Sequence, residues 1–115
     1  MNKTLKEIDQ ISIEFEKEYW VASSSRQGKI RHILLHMTKM LGKLGGVIEK
    51  WEHGLEVDEK VIGQEIVPDL LMYALMIARE EGVDVEKVFL ERLEMNKKKV
   101  NKWKEDGVLK DLPQL

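Results

Sequence analysis

Residues 65–78, EIVPDLLMYALMIA, constrain this chain more than any other stretch. Ile66, Val67, Leu70, Leu71, Met72, Ala74, Leu75, Met76, Ile77 and Ala78 leave no polar stripe of ordinary width. A helix apolar on nearly all sides belongs in the middle of a domain, with other helices around it. Two carboxylates interrupt the run, Glu65 and Asp69. At four residues' separation they fall within about 40° of each other on one helix face. A carboxylate in apolar surroundings requires a cation, a metal ion or several hydrogen bonds. Pro68 between them lacks an amide and clashes with the preceding turn, so it must kink the helix or mark a fresh start.

The rest of the chain reads as helix as well. No period-2 run with hairpin turn chemistry occurs, which predicts an all-α fold. The first predicted helix covers residues 4–20. Thr4 and Glu7 form a capping-box pattern, and Leu5, Ile8, Ile11, Phe15 and Tyr19 recur at three- and four-residue spacing. Residues 23–28, SSSRQG, form a linker of turn formers. The second helix covers residues 29–53 and stops at Gly54, a suitable C-terminal cap. On a helical wheel Ile30, Ile33, Leu34, Met37, Met40, Leu41, Leu44, Val47, Ile48 and Trp51 share one broad apolar face. His32, His36, Lys39, Lys43 and Lys50 form a basic stripe beside it. Gly42, Gly45 and Gly46 interrupt that helix, each costing about 1 kcal/mol against Ala. They suggest close approach of another group; the bland alternative is drift or a local kink.

The third helix is predicted over residues 58–81 with Asp58 as its cap. After a two-residue turn the fourth covers residues 84–105, with Asp84 as N-cap and Val85, Val88, Phe89 and Leu93 on its core face. Residues 107–115 form a tail. Short connections imply a four-helix bundle. The apolar faces of helices two and three are broad, so completion by a second copy, as a homodimer or tetramer, is expected.

Composition narrows the class of function. At 115 residues, with 43% hydrophobic and 35% charged residues, the chain is expected to be one folded domain. The high charge content fits heat adaptation. The absence of cysteine excludes disulfides, thiol chemistry and Cys-ligated zinc. No apolar run is long enough for a membrane span, and no signal-peptide pattern opens the chain; the expected location is cytoplasmic. A net charge of −2 gives no general attraction to nucleic acid. The lysine-rich end of the fourth helix, residues 97–104, has no interleaved aromatic patch and reads as a solvated helix terminus.

Residues 68–99, PDLLMYALMIAREEGVDVEKVFLERLEMNKKK, resemble the second half of MazG-like nucleoside triphosphate pyrophosphohydrolases, and the likeness extends to residues 33–54. The resemblance implies an all-α oligomer that splits a nucleoside triphosphate into a monophosphate and pyrophosphate with magnesium. In that family an E-E-x-x-E motif on one helix and E-x-x-D on the next hold the metal. Magnesium prefers octahedral oxygen ligands and binds carboxylates together with substrate phosphates. It then offsets charge that develops as water attacks phosphorus. This chain departs from the pattern. The first motif falls on residues 42–46, GKLGG, and its three carboxylates are missing. The second falls on residues 66–69, of which only Asp69 survives, with Glu65 one position early. Asn96 and Lys99 match family positions expected to face substrate phosphate.

Two readings of the site follow. Asp69 and Glu65 can be a remnant catalytic magnesium site, or partners of the basic stripe, with Lys43 and Lys39 the expected counter-ions of Asp69. Weakly held Mg2+ and the absence of any cofactor are equally consistent with these residues. Lys43, Lys39, His36 and His32 can bind phosphate as point charges, with the glycines admitting a nucleotide to the helix. The bland alternative is a solvated basic face, or an interface with the acidic first helix of a partner. His32 and His36 have the four-residue spacing that metal-ligand pairs often have, although most such pairs are plain imidazoles. His53 reads as a helix-end cation, and Trp20, Trp51 and Trp103 as core or interface residues.

Overall fold

Three of the four α-helices begin where a side chain satisfies a free amide. A computed structural model describes residues 2–20 and 24–107 and contains α1 (Leu5–Tyr19), α2 (Arg26–Glu52), a π-helical segment (Ile62–Ile66), α3 (Val67–Glu81) and α4 (Val85–Glu105). There is no strand among the described residues. Thr4 and Glu7 form the predicted capping box, the Glu7 amide donating to Thr4 Oγ1 at 3.2 Å and the Thr4 amide to Glu7 Oε1 at 3.1 Å. Ser25 caps α2 by accepting from the Gly28 amide at 3.0 Å. The helix therefore starts at Arg26, three residues before the predicted start, and takes up half of the expected linker. Asp84 accepts from the Lys87 amide at 3.3 Å and starts α4. Gly54 and Gly82 adopt φ of 70° and 68° just beyond α2 and α3, the left-handed conformation in which glycine meets no Cβ penalty.

The helix predicted over residues 58–81 is helical from residue 60 to 81, and the interruption expected at Pro68 takes the form of a π-helical stretch just before it. Asp58 accepts from the Lys60 amide in a local turn, and the π-helical segment precedes α3, with Pro68 in its first turn. The Val67 amide reaches back five residues to the Ile62 carbonyl. Proline cannot donate to the residue four before it and presses on that residue's carbonyl. A turn widened by one residue relieves both conflicts.

α2 and α3 run antiparallel. Lys43 pairs with Glu65, His36 meets Tyr73, Lys29 pairs with Glu80 and Arg26 with Glu81. Each step down one helix is a step up the other. Between them lies the core of Ile33, Met40, Ile66, Tyr73 and Met76, with Trp20, Met37, Leu44, Val61 and Leu70 packed around it. The broad apolar face predicted for α2 divides into two. Ile33 and Met40 are buried, whereas Leu34, Leu41, Ile48 and Trp51 are 57, 56, 41 and 43% exposed. α3 is likewise covered on one side, with Val67 and Leu71 exposed.

α1 contributes no buried residue. Arg79 ties it to α3 by forking to Asp9 and Glu16, all three half-buried. An apolar cavity of about 420 Å³ runs between Ile8, Ile11 and Phe15 of α1 and Leu71, Met72 and Leu75 of α3.

The chain divides into two compact units, Met1–Val83 and Asp84–Leu115. In the second, α4 is a single helix with no buried residue; Phe89 and Leu93 of its predicted core face are exposed. The tail expected at residues 107–115 lies, from residue 108 on, outside the described residues. No described helix is long and apolar enough to cross a membrane.

Candidate functional site

The antiparallel register of α2 and α3 places the basic stripe of one helix along the carboxylates of the other. Glu65 in the π-helical segment and Asp69 and Tyr73 on α3 follow one another along this side of the core, and the facing turns of α2 carry Lys43, Lys39 and His36. Lys43 is the residue that makes an ion pair, and its partner is Glu65. The expected pairing of Lys43 or Lys39 with Asp69 does not form. Glu65 lies inside the π-helical segment, whose wider turn changes its direction from that of an α-helical wheel. Among the described residues no ion pair or hydrogen bond reaches the half-buried Asp69 carboxylate.

Beyond Asp69 the site becomes aromatic. His32 and His36 meet edge to face, with ring centroids 4.7 Å apart and their Nε2 atoms at 3.2 Å. Trp20 packs on both, at 5.3 and 4.9 Å between centroids, and Tyr73 packs on His36 at 5.5 Å. Burial holds the His36 imidazole below its ordinary value of 6.5. Its neighbours His32 and Lys39 act the same way, against the pull of Asp69. Burial also raises the Tyr73 hydroxyl above 10.0, and the Asp69 charge adds to the effect.

The three glycines of α2 meet no side chain. A Cβ built on Gly42, Gly45 or Gly46 has nothing within 4 Å, so no other group approaches them closely among the described residues. Gly46 and Lys43 instead line a cleft of about 300 Å³ with Lys50, Val57, Asp58 and Val61.

Magnesium is the cofactor the MazG-like resemblance implies, and these residues do not fit it. The Glu65 carboxylate is neutralised by the Lys43 ammonium. Among the described residues no three His, Asp or Glu side chains converge on one point, whereas an octahedral ion held by protein needs several oxygen ligands together. Asn96 and Lys99 are carried by α4, in the second unit, and both are exposed.

Two contributors escape the reading of the sequence, and a third, Trp20, reads there only as a core or interface residue. Tyr73 has no role in that reading, yet it packs on His36 of the imidazole pair. Trp20 lies one residue past α1, and its partners are 12 and 16 residues away in the chain. Arg79 gave one usable signal: Asp9 and Glu16 are seven residues apart, hence on one face of α1, as a bridging cation requires.

No family model, curated protein or solved structure matches the chain.

Proposed function

We infer that the chain is a divergent MazG-like helical protein that binds a nucleotide polyphosphate, with its own cation, Lys43, where the family places a metal-binding carboxylate. The observation that carries this reading is the Lys43–Glu65 ion pair. It replaces the attraction between a metal ion and a carboxylate with one between two side chains. Lys39 and Lys43 supply positive charge on one stripe of α2, with the His36 imidazole beside them, and both lysines are exposed to a ligand. Asn96 and Lys99 remain phosphate-binding candidates by resemblance. The family's hydrolysis of a triphosphate to a monophosphate and pyrophosphate needs several carboxylates around magnesium. Asp69 and Glu65 alone are a poor catalytic pair for it, so binding without efficient turnover is the better-supported form of the reading.

The second reading is an assembly module of the same fold that lacks catalysis. Leu34, Leu41 and Ile48 favour it: they recur every seven residues on α2 and are exposed. That is the spacing by which one helix packs along another, and the occupant proposed is a second copy of the chain.

The test is a panel of nucleoside mono-, di- and triphosphates with magnesium or manganese, read by thermal shift and product release. Stabilisation by triphosphates that is lost in Lys43→Ala supports binding. Turnover that is lost in Asp69→Ala restores the enzyme reading. Neither stabilisation nor turnover with any nucleotide overturns both nucleotide readings and leaves assembly.

A further inference from the structure

We propose that His32 and His36 form a chelating site for a divalent transition-metal ion such as Cu2+, Ni2+ or Zn2+, through their two facing Nε2 atoms.

The geometry is that of a bite. Two imidazoles on one tetrahedral ion, each with a bond of about 2.0–2.1 Å, have their nitrogens roughly 3.3–3.4 Å apart. The Nε2 atoms of His32 and His36 already stand 3.2 Å apart. In the absence of metal, one Nε2–H donates to the lone pair of the other. A metal ion replaces that single proton with little movement of either ring. One helical turn separates the residues, so the backbone of α2 fixes the pair, and Trp20 and Tyr73 hold the rings from the other elements of the core. Both imidazoles are half-buried rather than sealed, which leaves a route for an ion.

The donor set chooses the metal. Two neutral nitrogens suit copper, nickel and zinc and do not suit magnesium, and the affinity order for divalent ions rises to copper. No third His, Asp or Glu joins the pair among the described residues. The remaining coordination positions therefore belong to water or to an incoming anion, as in sites that keep an open position. Asp69 contributes favourable charge without a contact, since its field acts on His36. This site is independent of the MazG-like reading, because it uses neither of the family's carboxylate motifs.

The experiment titrates Cu2+ alone into the full chain carrying Trp51→Phe and Trp103→Phe, so that emission comes from Trp20 beside the pair. The expected result is quenching that saturates at one ion per chain and is reversed by a chelator. Loss of an outer-shell partner alone weakens metal sites by about 10- to 100-fold. Removal of a ligand should do at least as much, so His32→Gln and His36→Gln should each raise the midpoint by about tenfold or more, while His53→Gln leaves it unchanged. A second measurement needs no variant at the site. In the 15N spectrum of the wild-type imidazoles, Zn2+ should move the Nε2 resonances of both His32 and His36 at equal occupancy. Equal midpoints in all three variants, or zinc shifts confined to His53 or to one of the pair, would overturn the proposal.

Discussion

Rebuilding the missing carboxylates tests the proposed function most directly. The perturbation is Gly42→Glu, Lys43→Glu and Gly46→Glu together, which writes E-E-x-x-E onto α2. The structure permits it. A Cβ at Gly42 or Gly46 meets nothing within 4 Å, and Gly46 lines the same cleft as position 43. Each glycine replaced by Glu within a helix gains about 0.5 kcal/mol in propensity. Against this, the lost Lys43–Glu65 pair, with side chains 42 and 44% exposed, removes about 0–1 kcal/mol. Like charges facing Glu65 and Asp69 remove a comparable amount. Without metal the variant should therefore lie within about 1 kcal/mol of the wild type.

With metal the two should part. At a free magnesium concentration about ten times the dissociation constant, binding stabilises the native state by about 1.4 kcal/mol. For a chain of this size that is a rise of about 5–10 °C in melting temperature. The assay is thermal unfolding followed by circular dichroism, with and without Mg2+, in both proteins. The expected outcome is a magnesium-dependent rise in the variant and none in the wild type. A variant that folds as well as the wild type yet gains nothing from magnesium would refute the placement of GKLGG at the family's metal motif, and with it the reading of Lys43 as a substitute cation.

Three further outcomes follow from particular contacts. Arg79→Ala leaves Asp9 and Glu16 facing each other; with side chains 17–24% exposed, the loss falls between surface and buried pairs. It should be about 2 kcal/mol by urea unfolding, and a loss under about 0.5 kcal/mol would mean that α1 is held by other contacts. His36 has its folded value below 6.5, through burial, His32 and Lys39, and against Asp69; the facing Tyr73 is uncharged at neutral pH. The unfolded chain therefore takes the proton first, and the stability present above 6.5 is lost as the pH falls through the folded value. In a chelator-containing buffer His36→Gln should flatten that decline, and an unchanged pH profile would contradict it. Leu41→Asp places a charge in the exposed seven-residue seam of α2. If a second copy covers that seam, sedimentation should show a lighter species for the variant than for the wild type.

What the sequence disclosed and what it withheld divide by range. The capping box at Thr4, the Asp84 cap and the terminating glycines at positions 54 and 82 were legible because each acts within four residues of itself. The partner of Lys43 was not. An α-helical wheel carried through Pro68 sets Glu65 and Asp69 on one face, but the π-helical turn before the proline breaks that phase. The ion pair then goes to Glu65 and leaves Asp69 to act on His36 and Tyr73 through its field. The imidazole pair was visible as a spacing; its convergence depended on Trp20 and Tyr73, which arrive from elsewhere in the chain. Lys43 and His36 are seven residues apart on α2, about 10 Å along the helix. A hard ion tested against new carboxylates at positions 42, 43 and 46 and a softer ion tested against the imidazoles therefore report on different ends of one helix face. Magnesium has little affinity for a two-nitrogen site, and copper quenching of Trp20 requires nearness to the imidazoles. A positive result at one end consequently carries no presumption about the other, and the chain can be a nucleotide binder without metal at Lys43 while holding a transition ion about two and three turns away.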